Sequence, residues 1–257
     1  MRKEKSEIEI NESPVDGNVI EVSNLKKAFG PQPVLNNVSL TLKKKENLVV
    51  LGKSGSGKSV LIKCIVRLLM ADSGKVNVLG NDVNVLSEKD LNELRKKIGF
   101  LFQSAALYDS MSVKQNLEFP LKRIQKDLSE KEVNSRVKEA LDNVGLIEAL
   151  NKMPSELSGG MRKRIGLART IIINPVIMLY DEPTTGLDPI TSAEISDLII
   201  NIRKKYHTSS IIITHDIACA RATADRVMML KDGEVFAEGS FKELERSKDE
   251  FINNFFK

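Results

Sequence analysis

The chain has 257 residues with a formal net charge of +4, 41% hydrophobic and 29% charged residues. That balance is ordinary for a globular protein of one large domain or two small ones, and it excludes a wholly disordered chain or a coiled-coil rod. The positive charge is weak and scattered, which argues against nucleic acid as a partner.

Two cysteines, Cys64 and Cys219, stand far apart in apolar stretches. They fit reduced, buried thiols of a cytosolic protein better than a disulfide or a metal site. The opening MRKEKSEIEI lacks the apolar run of a signal peptide. No apolar stretch approaches the about 18–20 residues that cross a bilayer. If the protein works at a membrane, another subunit must hold it there.

Residues 1–17 are charged and aperiodic and are expected to form a flexible tail. From Asn18 the pattern becomes strand-like: NVIEVSNL, then VSLTL, then ENLVVLG, which runs into a glycine-rich loop followed by the helical CIVRLLM. Strand, loop and helix in that order open a parallel α/β unit. GKVNVLG and KIGFLFQ add strands. Between about 104 and 170, Val113–Leu121, Glu130–Asn143 and Gly160–Ile173 have helical spacing, which predicts an inserted helical subdomain. Strands return at VIMLYDEP, SIIITHD and RVMMLKDGEV, where Asp232-Gly233 marks a hairpin turn. The stretch 241–257 is expected to be a helical tail, with Leu244, Phe251, Phe255 and Phe256 as its apolar positions.

The loop GKSGSGKS, Gly52–Ser59, fits the pattern G-x-x-x-x-G-K-[ST]. Phosphate needs many donors close together. Glycines let backbone N–H groups of Gly52, Lys53, Ser54, Gly55, Ser56 and Gly57 turn inward, and the helix that follows adds its positive end. Lys58 supplies a point charge for the terminal phosphates and Ser59 a hydroxyl for Mg²⁺. An apolar strand, IMLYDE, stops at two acids. Close carboxylates are tolerable beside a cation, so Asp181 is expected to face Mg²⁺ and Glu182 to orient or deprotonate a water.

SIIITHD is another strand ending in a polar residue, and His215 there is a ligand candidate. His207, in the polar loop KKYHTSS, has no such setting. LSGGM, Leu157–Met161, opens a helix whose N-terminus forms an anion site without a lysine of its own. With one phosphate loop in the chain, that second site suggests service to a nucleotide held by another copy. Gln103 ends the strand KIGFLF and can offer an amide oxygen to Mg²⁺. Phe29, in KKAFGP, can stack on adenine.

In order, Phe29, GKSGSGKS, Gln103, LSGGM, IMLYDE, the TGLD of Thr185–Asp188 and His215 resemble the ABC ATPase family, and the resemblance runs from about residue 18 to 240. It implies a P-loop NTPase RecA-like core, an N-terminal antiparallel β subdomain and an inserted α-helical signature subdomain. It implies ATP and Mg²⁺ as ligands and a homodimer with two ATPs sandwiched between the subunits. Gly52 to Ser59 with Val60, Gln103 and Phe29 would bind nucleotide, and Ser59, Gln103 and Asp181 would serve the metal. Lys58, Glu182 and His215 would be catalytic. Ser158, Gly159, Gly160 and Met161 would reach the nucleotide of the opposite subunit, and Asp188 would sit at the dimer seam. Most of the family has Gln where this chain has Met161, so an amide is missing beside the nucleotide while the Ser and Gly donors remain.

SAALYDSMSVKQNLEFPL and KMPSELSGGMRKR look like the ATPases of Mla-type (maintenance of lipid asymmetry) phospholipid transporters. That implies an integral membrane permease and a mammalian-cell-entry-type lipid-binding protein as partners, at the cytoplasmic face of the inner membrane. Amino-acid and lipoprotein systems share the engine. Methionine importers usually carry a C-terminal domain, which is not expected in the short stretch after His215, and lipoprotein-release ATPases usually read LSGGE. Soluble ABC proteins acting on DNA or ribosomes carry long coiled coils or two cassettes, neither of which is expected here.

Overall fold

The computed structural model describes residues 17–256, so the tail expected before Gly17 lies outside the described residues. Two sheets form the frame. The first is antiparallel, with β1 (Asn18–Phe29), β2 (Gln32–Lys43), β4 (Ser73–Val78) and β5 (Asn81–Asp82) in the order β2-β1-β4-β5. The second takes β3 (Asn47–Leu51), β6 (Ile98–Leu101), β7 (Ile177–Asp181), β8 (Ser209–Thr214), β9 (Arg226–Lys231) and β10 (Glu234–Gly239) in the order β10-β9-β3-β8-β7-β6. Its inner pairs are parallel and only the edge strand β10 runs antiparallel.

The sequence explains the difference between centre and edge. NLVVL, IMLYD and SSIIIT are buried at every position, as parallel strands covered on both faces must be. β10, EVFAEG, alternates exposed and half-buried positions. Asp232 and Gly233 both take positive φ, 49° and 78°, which a tight hairpin between twisted strands requires.

Side chains alternate across the parallel sheet and divide the core in two. Leu48, Val50, Leu179, Ile211 and Ile213 face the antiparallel sheet and the helices α1 (Lys58–Ile65) and α2 (Glu88–Arg95). Val49, Leu51, Met178, Tyr180 and Ile212 face the other way, toward α3 (Val113–Ile124), α4 (Glu130–Asp142), α5 (Gly159–Ile171) and α6 (Pro189–Tyr206). The short helices α7 (Ile217–Thr223), α8 (Phe241–Glu245) and α9 (Glu250–Phe256) complete the chain. Cys64 and Cys219 are free and buried in separate cores, and burial pushes both thiols up to about 11.

Serine caps set most helix starts: Ser87, Ser112, Ser129, Ser158 and Ser240 each accept from a backbone N–H one turn in. Helix α6 is absent from the sequence reading, which took Asp188 only as a seam residue. Asp188 caps it, Pro189 opens it, and Ile195, Ile199 and Ile202 make its inner face. No helix of the described residues is long and apolar enough to cross a membrane.

Candidate functional site

The fully buried strand β3 delivers the chain into the loop Gly52–Ser59, and α1 leaves it. The glycines are demanded by space. A Cβ on Gly57, at φ 101°, would lie 2.7 Å from the Val34 carbonyl oxygen and 2.8 Å from a Leu35 methyl. A Cβ on Gly52 would lie 2.6 Å from the Leu230 carbonyl oxygen. Gly57 caps α1 without any side-chain hydrogen bond, so the first-turn N–H groups keep their capacity to bind an anion.

Lys58 is 5% exposed, and its Nζ donates to the carbonyls of Gly52 at 2.7 Å and Lys53 at 3.1 Å. The same ammonium lies 3.4 Å from Glu182 Oε1. Ser59 Oγ donates to Asp181 Oδ1 at 2.9 Å. Burial pushes the Asp181 carboxyl above its ordinary range despite that hydrogen bond and the Lys63 and Lys163 charges. A cation beside Asp181 would relieve this cost. Among the described residues no group of three or more His, Cys, Asp or Glu could hold a metal. The hydroxyl, carboxylate and amide oxygen of Ser59, Asp181 and Gln103 fit Mg²⁺, an ion that takes one or two carboxylates and completes its shell with phosphate oxygens and water. The buried Ser56 hydroxyl has no protein partner, which also suits a phosphate cradle.

Glu182 follows β7 directly and takes φ 50°, the left-handed region that costs a non-glycine residue about 1–3 kcal/mol. Its backbone is pinned: the N–H donates to the Ile213 carbonyl at 2.9 Å, and the carbonyl accepts from Lys163 at 3.0 Å. Its carboxylate is pinned as well. Oε2 accepts from Thr185 Oγ1 at 3.0 Å and lies 2.8 Å from His215 Nδ1. The His215 side chain is 58% exposed.

These groups share a cavity of about 740 Å³ whose wall includes Lys53, Ser54, Gly55, Gly57, Lys58, Ser59, Val60, Gln103, Glu182 and His215. An anionic ligand seated there would meet backbone donors and an ammonium on one side and a carboxylate with its histidine on the other. Thr185 and two further apolar side chains, Val34 and Phe255, complete the wall, Phe255 coming from α9.

Phe29 is not part of this wall. It ends β1, 49% exposed, with the Lys27 ammonium 5.4 Å over its ring. Ser158, Gly159, Gly160 and Met161 do not line the cavity either. Ser158 is exposed at the start of α5 and accepts from Met161 N–H at 3.2 Å. Gly160 fits closely under Thr191, whose methyl would be 2.5 Å from an added Cβ. Met161 is half-buried, with part of its side chain packed against the core. Asp188 is exposed and holds α6, accepting from Ile190 and Thr191 N–H at 3.0 Å each; the Thr191 bonds hold its carboxyl below the usual range.

Three residues at or behind the site escaped the sequence reading as contributors. Lys163 lies in a basic triplet with nothing in composition to single it out. Thr185 stood only as the first letter of TGLD. Phe255 was read as an apolar position of the tail, and only the fold brings it to the loop.

Comparison with known proteins agrees with this geometry. The ABC transporter family profile matches residues 35–185. The intermembrane phospholipid transport system ATP-binding protein MlaF of Haemophilus influenzae is 38% identical over 240 residues, 93% of this chain and 90% of that protein. The probable ribonucleotide transport ATP-binding protein mkl of Mycobacterium tuberculosis is 43% identical over 82% of this chain, and the methionine import ATP-binding protein MetN of Rhizobium johnstonii is 38% identical over 86%. The chain spans 58% and 60% of those two proteins' lengths. Among solved structures, a dimeric post-hydrolysis state of the ATP-binding cassette MJ0796 with ADP and Pi superposes with a TM-score of 0.80, at 33% identity, covering 86% of this chain and 98% of that one.

Proposed function

This chain belongs to the ABC transporter family and is an ATPase, and we propose that it powers phospholipid transport between the inner and outer membranes. The observation that carries the phospholipid cargo is the extent of the MlaF likeness. That likeness covers nine-tenths of both chains, whereas the matches to mkl and MetN cover 58% and 60% of those proteins. The two segments that look Mla-like, around Gln103 and around LSGGM, point the same way.

In this reading ATP lies on the Gly52–Ser59 loop, with Val60 at its edge and the adenine toward Phe29. Lys58 and the loop N–H groups gather charge from the phosphates, and in-line attack rests mainly on positioning and charge neutralisation. Mg²⁺, held by Ser59, Asp181 and Gln103, would supply further charge neutralisation at the phosphates. Glu182 orients or deprotonates the water. His215 carries the state of the γ-phosphate to it through the 2.8 Å contact. A second copy closes over the nucleotide with Ser158, Gly159, Gly160 and Met161, and Asp188 lies at the seam between the copies. ATP thus binds the closed form more tightly than the open one, which is what lets it drive closure.

The force reaches a permease at the membrane's cytoplasmic face. A groove of about 640 Å³ beside the Gln103 loop would seat it. There Tyr108 and Phe119 are exposed with ring centroids 5.2 Å apart, among Arg95, Lys96, Arg123 and Arg169. A mammalian-cell-entry-type protein would be the lipid carrier. Lipid specificity then lies in those partners, so the isolated chain shows no lipid-stimulated ATPase activity.

The test is purification of the native complex through a tag on this chain. Phospholipid co-purifies, and its transfer to acceptor vesicles requires ATP and fails with Glu182→Gln. A complex that binds an amino acid or releases lipoproteins, with envelope lipids unchanged by deletion of the gene, would overturn the cargo and leave the ATPase standing.

A further inference from the structure

Helix α5 carries three successive basic residues behind LSGGM, and they part company. Arg162 is exposed and donates to the Leu157 carbonyl at 2.8 Å. Arg164 pairs with Glu194. Lys163 turns inward and is only 6% exposed. Burying an ammonium is costly, and the α5 positions that face the same core, Ile165, Leu167 and Ala168, are apolar. A lysine at this depth needs acceptors, and it has two. Its Nζ donates to the carbonyl of Gln103 at 2.5 Å and to that of Glu182 at 3.0 Å. Those residues follow the adjacent parallel strands β6 and β7.

Glu182 is the residue that sits in the left-handed region, at φ 50°. A strained conformation persists only where its surroundings hold it. Ile213 fixes the peptide before the Glu182 Cα through the 2.9 Å bond to its N–H. Lys163 fixes the peptide after it. With both peptide planes held, the Cα–Cβ direction is set, and with it the approach of the carboxylate to Lys58 at 3.4 Å and to His215 at 2.8 Å. Without the ammonium, the second peptide plane is free to turn, and Glu182 can relax toward an ordinary backbone conformation that swings the carboxylate away.

We propose that Lys163 is a positioning residue for ATP hydrolysis, holding the Glu182 and Gln103 backbones together so that the signature helix sets the direction of the Glu182 carboxylate. The proposal deepens the reading of Glu182 as the group that acts on water, and it rests on that reading. It also gives α5 a direct grip on both sides of the cavity. A movement of the helix that brings LSGGM to a nucleotide carries the water-orienting carboxylate with it.

The experiment compares the full-length chain with Lys163→Met, which keeps length and loses the donors, and Lys163→Arg, which restores them. Steady-state Mg-ATP hydrolysis is measured together with binding of a fluorescent ATP analogue. Misplacing a reacting group by about 1 Å costs up to about 100-fold. Lys163→Met should therefore lower kcat by about 10–100-fold while KM and nucleotide affinity stay within about twofold, and Lys163→Arg should recover most of the loss. In single turnover, adding Lys163→Met to Glu182→Gln should cost nothing further, because the group it positions is already gone. If Lys163→Met does not fold, Lys163→Leu, which also carries no donor, replaces it with the same expectations. Unchanged kcat in Lys163→Met or Lys163→Leu would overturn the proposal. So would an equal loss in both backgrounds, or a loss of ATP binding in step with kcat. If Glu182→Gln itself turns over normally, the reading of Glu182 fails first and takes this inference with it. If Glu182→Gln is inactive and the Lys163 variant is not, only this inference fails.

Discussion

Two glycine-bearing turns open two helices in this chain, and they face different things. The loop before α1 faces inward: its lysine is 5% exposed, ringed by the carbonyls of its own loop and by Glu182, and it opens a large cavity. The turn before α5 faces outward: Ser158 is exposed, the turn itself holds no lysine, and none of its residues lines that cavity. Both offer the positive end of a helix to an anion. On the proposed reading, the difference means that one is a site that fills from within its own chain and the other is half of a site that a second copy would complete.

The comparison can be broken at several points. The largest effect belongs to Glu182. A lost general base costs about 10²–10⁴-fold. Glu182→Gln should therefore bind ATP, hydrolyse it slower by that factor and accumulate as dimer on size exclusion with Mg-ATP. Near-normal turnover would remove Glu182 from the chemistry.

Lys58→Ala should differ in kind. Charge-assisted bonds are worth about 1.5–3 kcal/mol each, so ATP binding itself should weaken by about 10–100-fold, read by calorimetry on the single chain. Unchanged affinity would mean that the inward loop is not the site that fills first.

A smaller effect, of opposite sign for stability, is expected at Asp181. Burial holds its carboxyl above the usual range. Its charged form therefore works against the fold above the raised pKa, and this penalty disappears as pH falls and both states protonate. Asp181→Asn should lose Mg-dependent hydrolysis yet raise the Tm of the nucleotide-free protein at pH 7, at about 2–4 °C per kcal/mol for a chain of this size. The gain over wild type should shrink toward acid pH. A lower Tm at pH 7 would show that the hydrogen bond to Ser59 outweighs the burial.

The smallest expected effect sharpens the comparison most on the outward side. Ser158→Ala removes a helix cap worth about 1 kcal/mol. It should leave ATP affinity of the single chain unchanged while steady-state turnover falls. Weaker binding by the monomer would place Ser158 in its own chain's site.

How much of this was legible in the sequence follows from locality. The inward loop was readable because its chemistry is contiguous: glycine spacing, Lys58 and Ser59 lie within one turn between a strand and a helix. Asp181 and Glu182 were readable because an apolar strand ending in two acids is unusual by itself. What stayed hidden depends on approach across the fold. That Lys163 of three basic neighbours turns inward is decided by which face of α5 meets β6 and β7, and its acceptors are carbonyls, which every residue has. The left-handed backbone of Glu182 has no signature in its side chain. Phe255 reaches the loop only because α9 folds back onto the core, where Lys231 sits 4.4 Å over the Phe251 ring. Helix α6 was missed although its cap, its Pro189 and its spaced isoleucines are all present, because Asp188 was already spoken for by a motif.

The division into a whole site and a half site is tested most directly by mixing two defective chains, one with Lys58→Ala and one with Ser158→Ala, and measuring Mg-ATP occlusion. In a mixed dimer one of the two composite sites keeps both its lysine and its serine, so occlusion absent from either variant alone should return in part on mixing. If the mixture stays as inactive as its components while wild-type chains occlude ATP under the same conditions, the two turns do not meet across a pair of copies and the account is wrong at its centre.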